Sequence, residues 1–167
     1  MRNVTSDVLV AYASKHGSTE KIAHWIGKEI RGNVDVLNVN NVHNLNYDYI
    51  ILGTPIYEHE PLPEMSSFIN RNKDQLENKK KSVFVVSSDN EVRSKREMNI
   101  EAFTNIIPGE VNQTAVFAGE IDNSELSSKE LESVNSYMNS ISKPTGSYSK
   151  LNEKKCREYG KSLNRFI

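Results

Sequence analysis

Apolar residues along this chain follow two alternating spacings, one typical of strands and the other of helices. Short, continuous or alternating apolar runs indicate strands, and they lie at residues 8–13, 34–39, 49–52, 82–86 and 115–119. Apolar residues three and four positions apart indicate helices, and these lie at residues 18–31, from Pro63 onward, at 91–105, at 131–141 and near the C-terminal end. Gly32-Asn33 is a typical helix terminator, and Gly53-Thr54-Pro55 closes the third strand in this interpretation.

This alternation predicts one α/β domain over residues 1–167, with a mostly parallel sheet and helices on both faces. Ligands of such sheets bind outside the carboxyl ends of the strands. Polar loops follow three predicted strands, at residues 14–19, 54–60 and 87–90. We therefore expect these three loops to converge on one site for a phosphate-bearing ligand with a flat ring.

Composition narrows the possible partners. Lys and Arg number 21 against 22 Asp and Glu, for a net charge of -1, which argues against nucleic-acid binding. The single cysteine, Cys156, rules out an internal disulfide. No apolar run reaches membrane-spanning length or suits a signal peptide, so we expect a cytoplasmic protein.

The loop after the first strand has the chemistry of a phosphate site. It reads Ser14-Lys15-His16-Gly17-Ser18-Thr19 and leads directly into a helix, whose N-terminal N–H groups and dipole favour an anion. It lacks the GxGxxG spacing of dinucleotide folds and the Gly-Lys-[Ser/Thr] of nucleotide P-loops. Hydroxyls and backbone donors suit one terminal phosphate monoester. The alternative is an ordinary strand–helix turn with Ser18 or Ser14 as the N-cap.

The same loop resembles the [Ser/Thr]-x-x-Gly-x-[Ser/Thr] phosphate loop of flavodoxins. Within that superfamily the chain looks most similar to the HemG-type branch, which includes menaquinone-dependent protoporphyrinogen dehydrogenases. The stretches that carry this resemblance are YASKHGSTEKIA (12–23), GTPIYEH (53–59) and VFAGEID (116–122). The resemblance implies a flavodoxin-like three-layer sandwich with a five-stranded parallel sheet in the order 2-1-3-4-5.

The resemblance also implies FMN as the cofactor. The residues expected to hold its phosphate are Ser14, His16, Gly17, Ser18 and Thr19, and Lys15 either adds positive charge to the site or is solvated. Those expected along one side of the isoalloxazine ring are Thr54, Pro55, Ile56 and Tyr57. Those expected on its other side, with hydrogen bonds to the pyrimidine, are Ser87, Ser88, Asp89 and Asn90.

The second loop departs from both family patterns. Tyr57 and Glu58 stand where many flavodoxins have a glycine. The HemG-type pattern has an arginine and a glycine beside its loop tyrosine, and this chain has Ile56 and Glu58 there. Tyr57 and His59 match that pattern.

We therefore expect electron transfer between redox partners as the function. The alternative is an FMN-dependent oxidoreductase that acts directly on a quinone or on protoporphyrinogen, and a third is a non-redox binding module. The protein is expected to be a monomer or a homodimer. Several of these residues also have simpler interpretations. Tyr57 is then an ordinary surface aromatic, Asp89 caps a helix, Trp25 packs a helix and Cys156 is a core residue. The basic face at Arg93, Lys95 and Arg96 is either solvated or docks an acidic partner.

Overall fold

The computed structural model describes residues 5–87, 93–121, 148–149 and 151–167. Eight strands are described there: β1 (Asp7–Tyr12), β2 (Asn33–Asn38), β3 (Tyr49–Tyr57), β4 (Glu60–Pro61), β5 (Lys80–Ser87), β6 (Thr114–Ala118), β7 (Glu120–Ile121) and β8 (Tyr148–Ser149). The main sheet has the parallel order β2-β1-β3-β5-β6. Since β5 and β6 are its fourth and fifth parallel strands, the predicted order 2-1-3-4-5 is confirmed. Strand β4 adds an antiparallel hairpin to the end of β3, and β7 pairs with β8.

Helices connect these strands. They are α1 (Ser18–Glu29), α2 (Pro63–Arg71), α3 (Lys73–Glu77), α4 (Arg93–Thr104) and α5 (Glu153–Leu163). Helix α1 ends two residues before its predicted end, because Ile30 already has extended backbone angles. Pro63 opens α2 as predicted. The helix predicted at 131–141 lies outside the described residues. No helix in the described ranges is long and apolar enough to cross a membrane.

The two faces of the sheet each carry a layer of helices. In β1, Val8 and Val10 belong to the apolar cluster that includes residues of α1 and α5. Leu9 and Ala11, on the opposite face, belong to the cluster that includes residues of α2 and α4. Because both faces of the strand are buried, its sequence is continuously apolar rather than alternating.

Strand β3 extends five residues beyond its predicted end, so Gly53, Thr54 and Pro55 do not close it. The reason is its neighbour β5, which stays paired with β3 as far as Pro55 opposite Val86. Gly53 is required by packing here. A Cβ atom on it would lie 2.0 Å from Cζ of Phe84, whose ring covers the strand at this point.

Candidate functional site

The first loop joins β1 to α1 through a left-handed glycine. Gly17 is the N-cap of α1, with φ 94° and ψ -13°, and its backbone N–H donates a hydrogen bond of 3.1 Å to Oγ of Ser14. The alternative interpretation, in which Ser14 or Ser18 is the N-cap, is therefore wrong about the cap, because Gly17 holds that position and Ser14 closes the loop. Gly17 has no side chain with which to cap the helix, so the N-cap residue itself provides no acceptor for the first-turn N–H groups.

Glycine at position 17 is required by its backbone conformation. A Cβ atom there would meet no atom of the described residues within 4 Å, so among them the positive φ rather than a close contact requires glycine. Of the other predicted phosphate residues, Lys15 is exposed, His16 and Ser18 are half-buried, and Thr19 is buried. Gly119, after β6, lies beside the same loop, where its Cβ would be 3.8 Å from Oγ of Ser18.

The second predicted loop is a β-hairpin rather than an open loop. Ile56 pairs with Pro61 and Tyr57 pairs with Glu60, which leaves Glu58 and His59 as a two-residue tip. Their φ angles are +50° and +65°. Positive φ at both tip residues suits the right-handed twist of a hairpin, but it is unusual for side chains other than Gly and Asn. The tip is exposed and holds backbone strain.

Three of the four predicted ring-binding residues are buried, and the fourth, Tyr57, is exposed. Thr54 is fully buried, and its Oγ accepts a hydrogen bond of 3.2 Å from the backbone N–H of Leu62, which fixes the base of the hairpin. Pro55 and Ile56 are also buried. Tyr57 has 42% of its surface exposed. Of these four residues, only Tyr57 is exposed and can contact a ligand in solvent through its side chain.

The first and second loops meet, as the sequence predicts. The rings of His16 and Tyr57 lie edge to face, with centroids 6.4 Å apart and planes at 86°. The Nζ atom of Lys15 lies 5.6 Å from the centroid of the Tyr57 ring, within cation–π range. An aromatic surface therefore stands next to the phosphate-type loop at the carboxyl edge of the sheet.

The third predicted loop begins at Ser87, the last residue of β5. Its side chain is buried, and Oγ accepts a hydrogen bond of 2.8 Å from the side-chain amide of Asn99 on α4. The other predicted residues of this loop, Ser88, Asp89 and Asn90, lie outside the described residues. Sequence reasoning missed Asn99, because an asparagine within a largely polar helix carries no signal of burial.

Glu20, in the first turn of α1, is held by a tyrosine from β1. The hydroxyl of Tyr12 donates a hydrogen bond of 3.0 Å to the carboxylate of Glu20. Burial, with that carboxylate alongside, raises the pKa of Tyr12 to about 12, so its proton stays in place at neutral pH. Within the described ranges, no three His, Cys, Asp or Glu side chains gather closely enough to hold a metal ion.

Comparison with known proteins agrees with this geometry. Residues 9–147 match the flavodoxin domain family, and the chain belongs to that family. No curated protein matches the chain. The narrower resemblance to protoporphyrinogen dehydrogenases stays a prediction.

Solved structures share the fold over most of the chain. Oxidised flavodoxin 1 from Bacillus cereus is 17% identical, with a TM-score of 0.60 over 97% of this chain and 99% of that one. Two-electron reduced flavodoxin from Megasphaera elsdenii is 17% identical, with a TM-score of 0.57 over 95% and 98%. A flavoprotein from Lactobacillus acidophilus in complex with FMN is 16% identical, with a TM-score of 0.55 over 68% and 93%.

Proposed function

We propose that this protein binds FMN and transfers electrons between redox partners. The observation that carries the proposal is the glycine-capped start of α1, placed next to an exposed tyrosine at the carboxyl edge of the sheet. The family match and the fold shared with an FMN complex support it. The residues present also fit the cofactor, since helix N–H groups suit a phosphate and an aromatic surface suits a flavin ring.

The phosphate is the group that the first loop recognises. We expect the first-turn N–H groups of α1, together with the hydroxyl of Ser18, to donate hydrogen bonds to it. Ser14 orients the loop through its hydrogen bond to Gly17 rather than through direct contact. Because Thr19 is buried, its role is to fix the start of the helix.

The isoalloxazine ring belongs between the second and third loops. Tyr57 provides an exposed aromatic surface on one side. On the other side of the ring, the third loop begins at Ser87. The side-chain amide of Asn99 holds the Ser87 hydroxyl in place. Bound FMN would supply reversible acceptance of electrons, while this chain holds the phosphate and orients the ring.

The exposed hairpin tip favours a carrier over an enzyme with a closed pocket. Tyr57, Glu58 and His59 are all exposed, so one rim of the proposed ring site is open to another protein. The alternative is direct oxidation or reduction of a quinone or protoporphyrinogen. It is supported by the position of His59 at this rim and by its match to the HemG-type pattern. A cytoplasmic location and a monomeric or homodimeric state remain predictions.

Two measurements separate these functions. Purified protein should show the absorption bands of flavin, and mass spectrometry of the released ligand should identify FMN. Colourless protein that takes up no added FMN would contradict the proposal. Quinone or protoporphyrinogen turnover by the holoprotein alone would favour the enzyme, whereas a requirement for a protein partner would favour the carrier.

A further inference from the structure

Lys15 and His16 are the central residues of a closed turn in the first loop. The hydrogen bond of 3.1 Å from the backbone N–H of Gly17 to Oγ of Ser14 spans both residues. The chain then enters α1 directly after Gly17, whose φ of 94° gives the turn its left-handed last residue. The backbone of Lys15 and His16 is therefore held at both ends, and this fixes where their side chains start.

The backbone of Tyr57 is held by the hairpin of β3 and β4. Tyr57 pairs with Glu60, and the hydrogen bond from the Leu62 N–H to Oγ of Thr54 fixes the base of the hairpin. The side chain is less enclosed, since 42% of the surface of Tyr57 is exposed. Keeping such a side chain in one rotamer costs conformational entropy, so a fixed ring orientation needs contacts that favour it.

The turn supplies two such contacts to the Tyr57 ring. The ring of His16 meets it edge to face, with centroids 6.4 Å apart and planes at 86°. The Nζ atom of Lys15 lies 5.6 Å from its centroid. Both arrangements are favourable for an aromatic ring. The imidazole of His16 therefore reaches the second loop, whereas the phosphate is proposed to bind at the start of α1, after Gly17.

We propose that His16 is a positioning residue for the flavin ring rather than a ligand of the phosphate. Its imidazole holds the Tyr57 ring in the orientation that stacks on the flavin, and Lys15 supports the same orientation. A ring that is oriented before the ligand arrives lowers the entropy cost of binding. This inference rests on the proposed function, and it assigns the side chain of His16 to the ring end of FMN.

Two substitutions of His16 separate the two roles. Phenylalanine keeps an aromatic ring but offers no hydrogen bond to a phosphate, whereas glutamine offers N–H donors but has no ring. Titration of the apoprotein with FMN should give a dissociation constant within about twofold of the parent for His16→Phe, and about fivefold higher for His16→Gln. A glutamine variant that binds FMN as well as the phenylalanine variant, or better, would overturn the proposal.

Riboflavin gives an independent readout, because it has the flavin ring without the phosphate. His16→Gln should weaken riboflavin binding by the same factor of about five as FMN binding. A loss confined to FMN would make His16 a phosphate ligand and would overturn the proposal. His24→Gln is the matched control, since the ring of His24 contacts Tyr12 instead, and it should change both dissociation constants by less than about twofold.

A double-mutant cycle tests whether His16 acts through Tyr57. Tyr57→Leu removes the ring that His16 contacts, so adding His16→Gln to it should change FMN binding by less than about twofold. A loss of about fivefold that persists without the tyrosine ring would show that His16 acts by another route, and it would overturn the proposal.

NMR of the protein without flavin tests the contact itself. His16→Gln should shift the ring-proton resonances of Tyr57, because the neighbouring imidazole is lost and the tyrosine ring changes orientation. His24→Gln should leave these resonances in place. Unchanged Tyr57 resonances in His16→Gln would overturn this inference even in a protein that binds FMN. Parent protein that binds no flavin, with the Tyr57 shifts still observed, would refute the proposed function and leave the contact established.

Discussion

His16 and Tyr57 meet edge to face across the gap between the first and second loops, with ring centroids 6.4 Å apart. Lys15 approaches the same tyrosine ring, with Nζ 5.6 Å from its centroid. Two side chains of the proposed phosphate loop thus contact the proposed flavin-stacking residue directly. Changes at Tyr57 are therefore expected to affect both the ring site and the phosphate loop.

Replacing Tyr57 by leucine should raise the FMN dissociation constant about fivefold, because aromatic contacts are worth about 1 kcal/mol beyond the area they bury. Tyr57→Phe keeps the ring and should stay within about twofold of the parent. Isothermal titration of the apoprotein measures both values. If leucine binds FMN as well as phenylalanine does, Tyr57 is an ordinary surface aromatic.

Gly17→Ala should destabilise the protein without any clash, because its cost comes from the backbone alone. The φ of 94° disfavours a side chain by about 1–2 kcal/mol, and no atom of the residues that the structure describes lies within 4 Å of the added Cβ. FMN binding should weaken with the loss of this turn. Gly17→Asn should recover part of both losses, since Asn tolerates positive φ better than Ala.

Urea unfolding and FMN titration of the two Gly17 variants check this expectation. An alanine variant that matches the parent in both measurements would show that the left-handed turn is not needed for the site.

The side chains of Asn99 and Ser87 should be energetically coupled through the hydrogen bond that joins them. Asn99→Leu keeps the approximate size but removes the donor, and it should cost about 1–3 kcal/mol of unfolding free energy, since Ser87 is buried. Combined with Ser87→Ala in a double-mutant cycle, it should give a coupling of about 1 kcal/mol.

Met98→Leu, at an exposed neighbour on α4, serves as the control for changes in helix packing and should be close to neutral. Strictly additive effects of the Asn99 and Ser87 substitutions would mean that α4 does not fix the start of the third loop through this bond.

The buried thiol of Cys156 should make the free energy of unfolding fall as the pH rises above 9. Burial raises the pKa of its thiol from 9.0 to about 12, so the folded protein keeps the proton that the unfolded chain loses near pH 9. The resulting stabilisation is complete below pH 9 and is lost as the pH rises towards 12. Cys156→Ala should lower stability at pH 7.5 by about 1–2 kcal/mol through the cavity it leaves.

The difference in unfolding free energy between the parent and Cys156→Ala should be smaller by about 0.8 kcal/mol at about pH 9.5 than at pH 7.5. At that pH most tyrosines are not yet ionised. Urea unfolding at both pH values measures it. A gap that does not change with pH would show that the thiol titrates alike in the folded and unfolded chains.

Much of the fold could be predicted because its strands are short apolar runs separated by clear breaks. The end of β3 could not be predicted, since glycine and proline usually interrupt strands. Here Phe84 packs over Gly53, and β5 pairs with β3 as far as Pro55. Lys81 is a similar case. It lies at the end of a charged segment, yet it is fully buried and donates a 2.9 Å hydrogen bond to the Leu76 carbonyl at the end of α3.

In the candidate site, too, features formed by neighbouring residues could be predicted, whereas contacts between residues far apart in sequence could not. The proposed phosphate loop could be predicted from the sequence because its glycine, hydroxyls and following helix are contiguous. The role of each residue in it could not, because Gly17 rather than a serine caps α1. Asn99 acts on a loop 12 residues away in sequence, and only the packing of α4 on β5 brings the two together.

The comparison of FMN with riboflavin tests the central claim most directly, because the two ligands differ only by the phosphate that the first loop is proposed to hold. Apoprotein is titrated with each ligand and followed by flavin fluorescence. We predict one FMN per chain and at least about a hundredfold weaker binding of riboflavin, since phosphate contacts are charge-assisted. Equal affinity for both ligands, or binding of neither, would contradict the account.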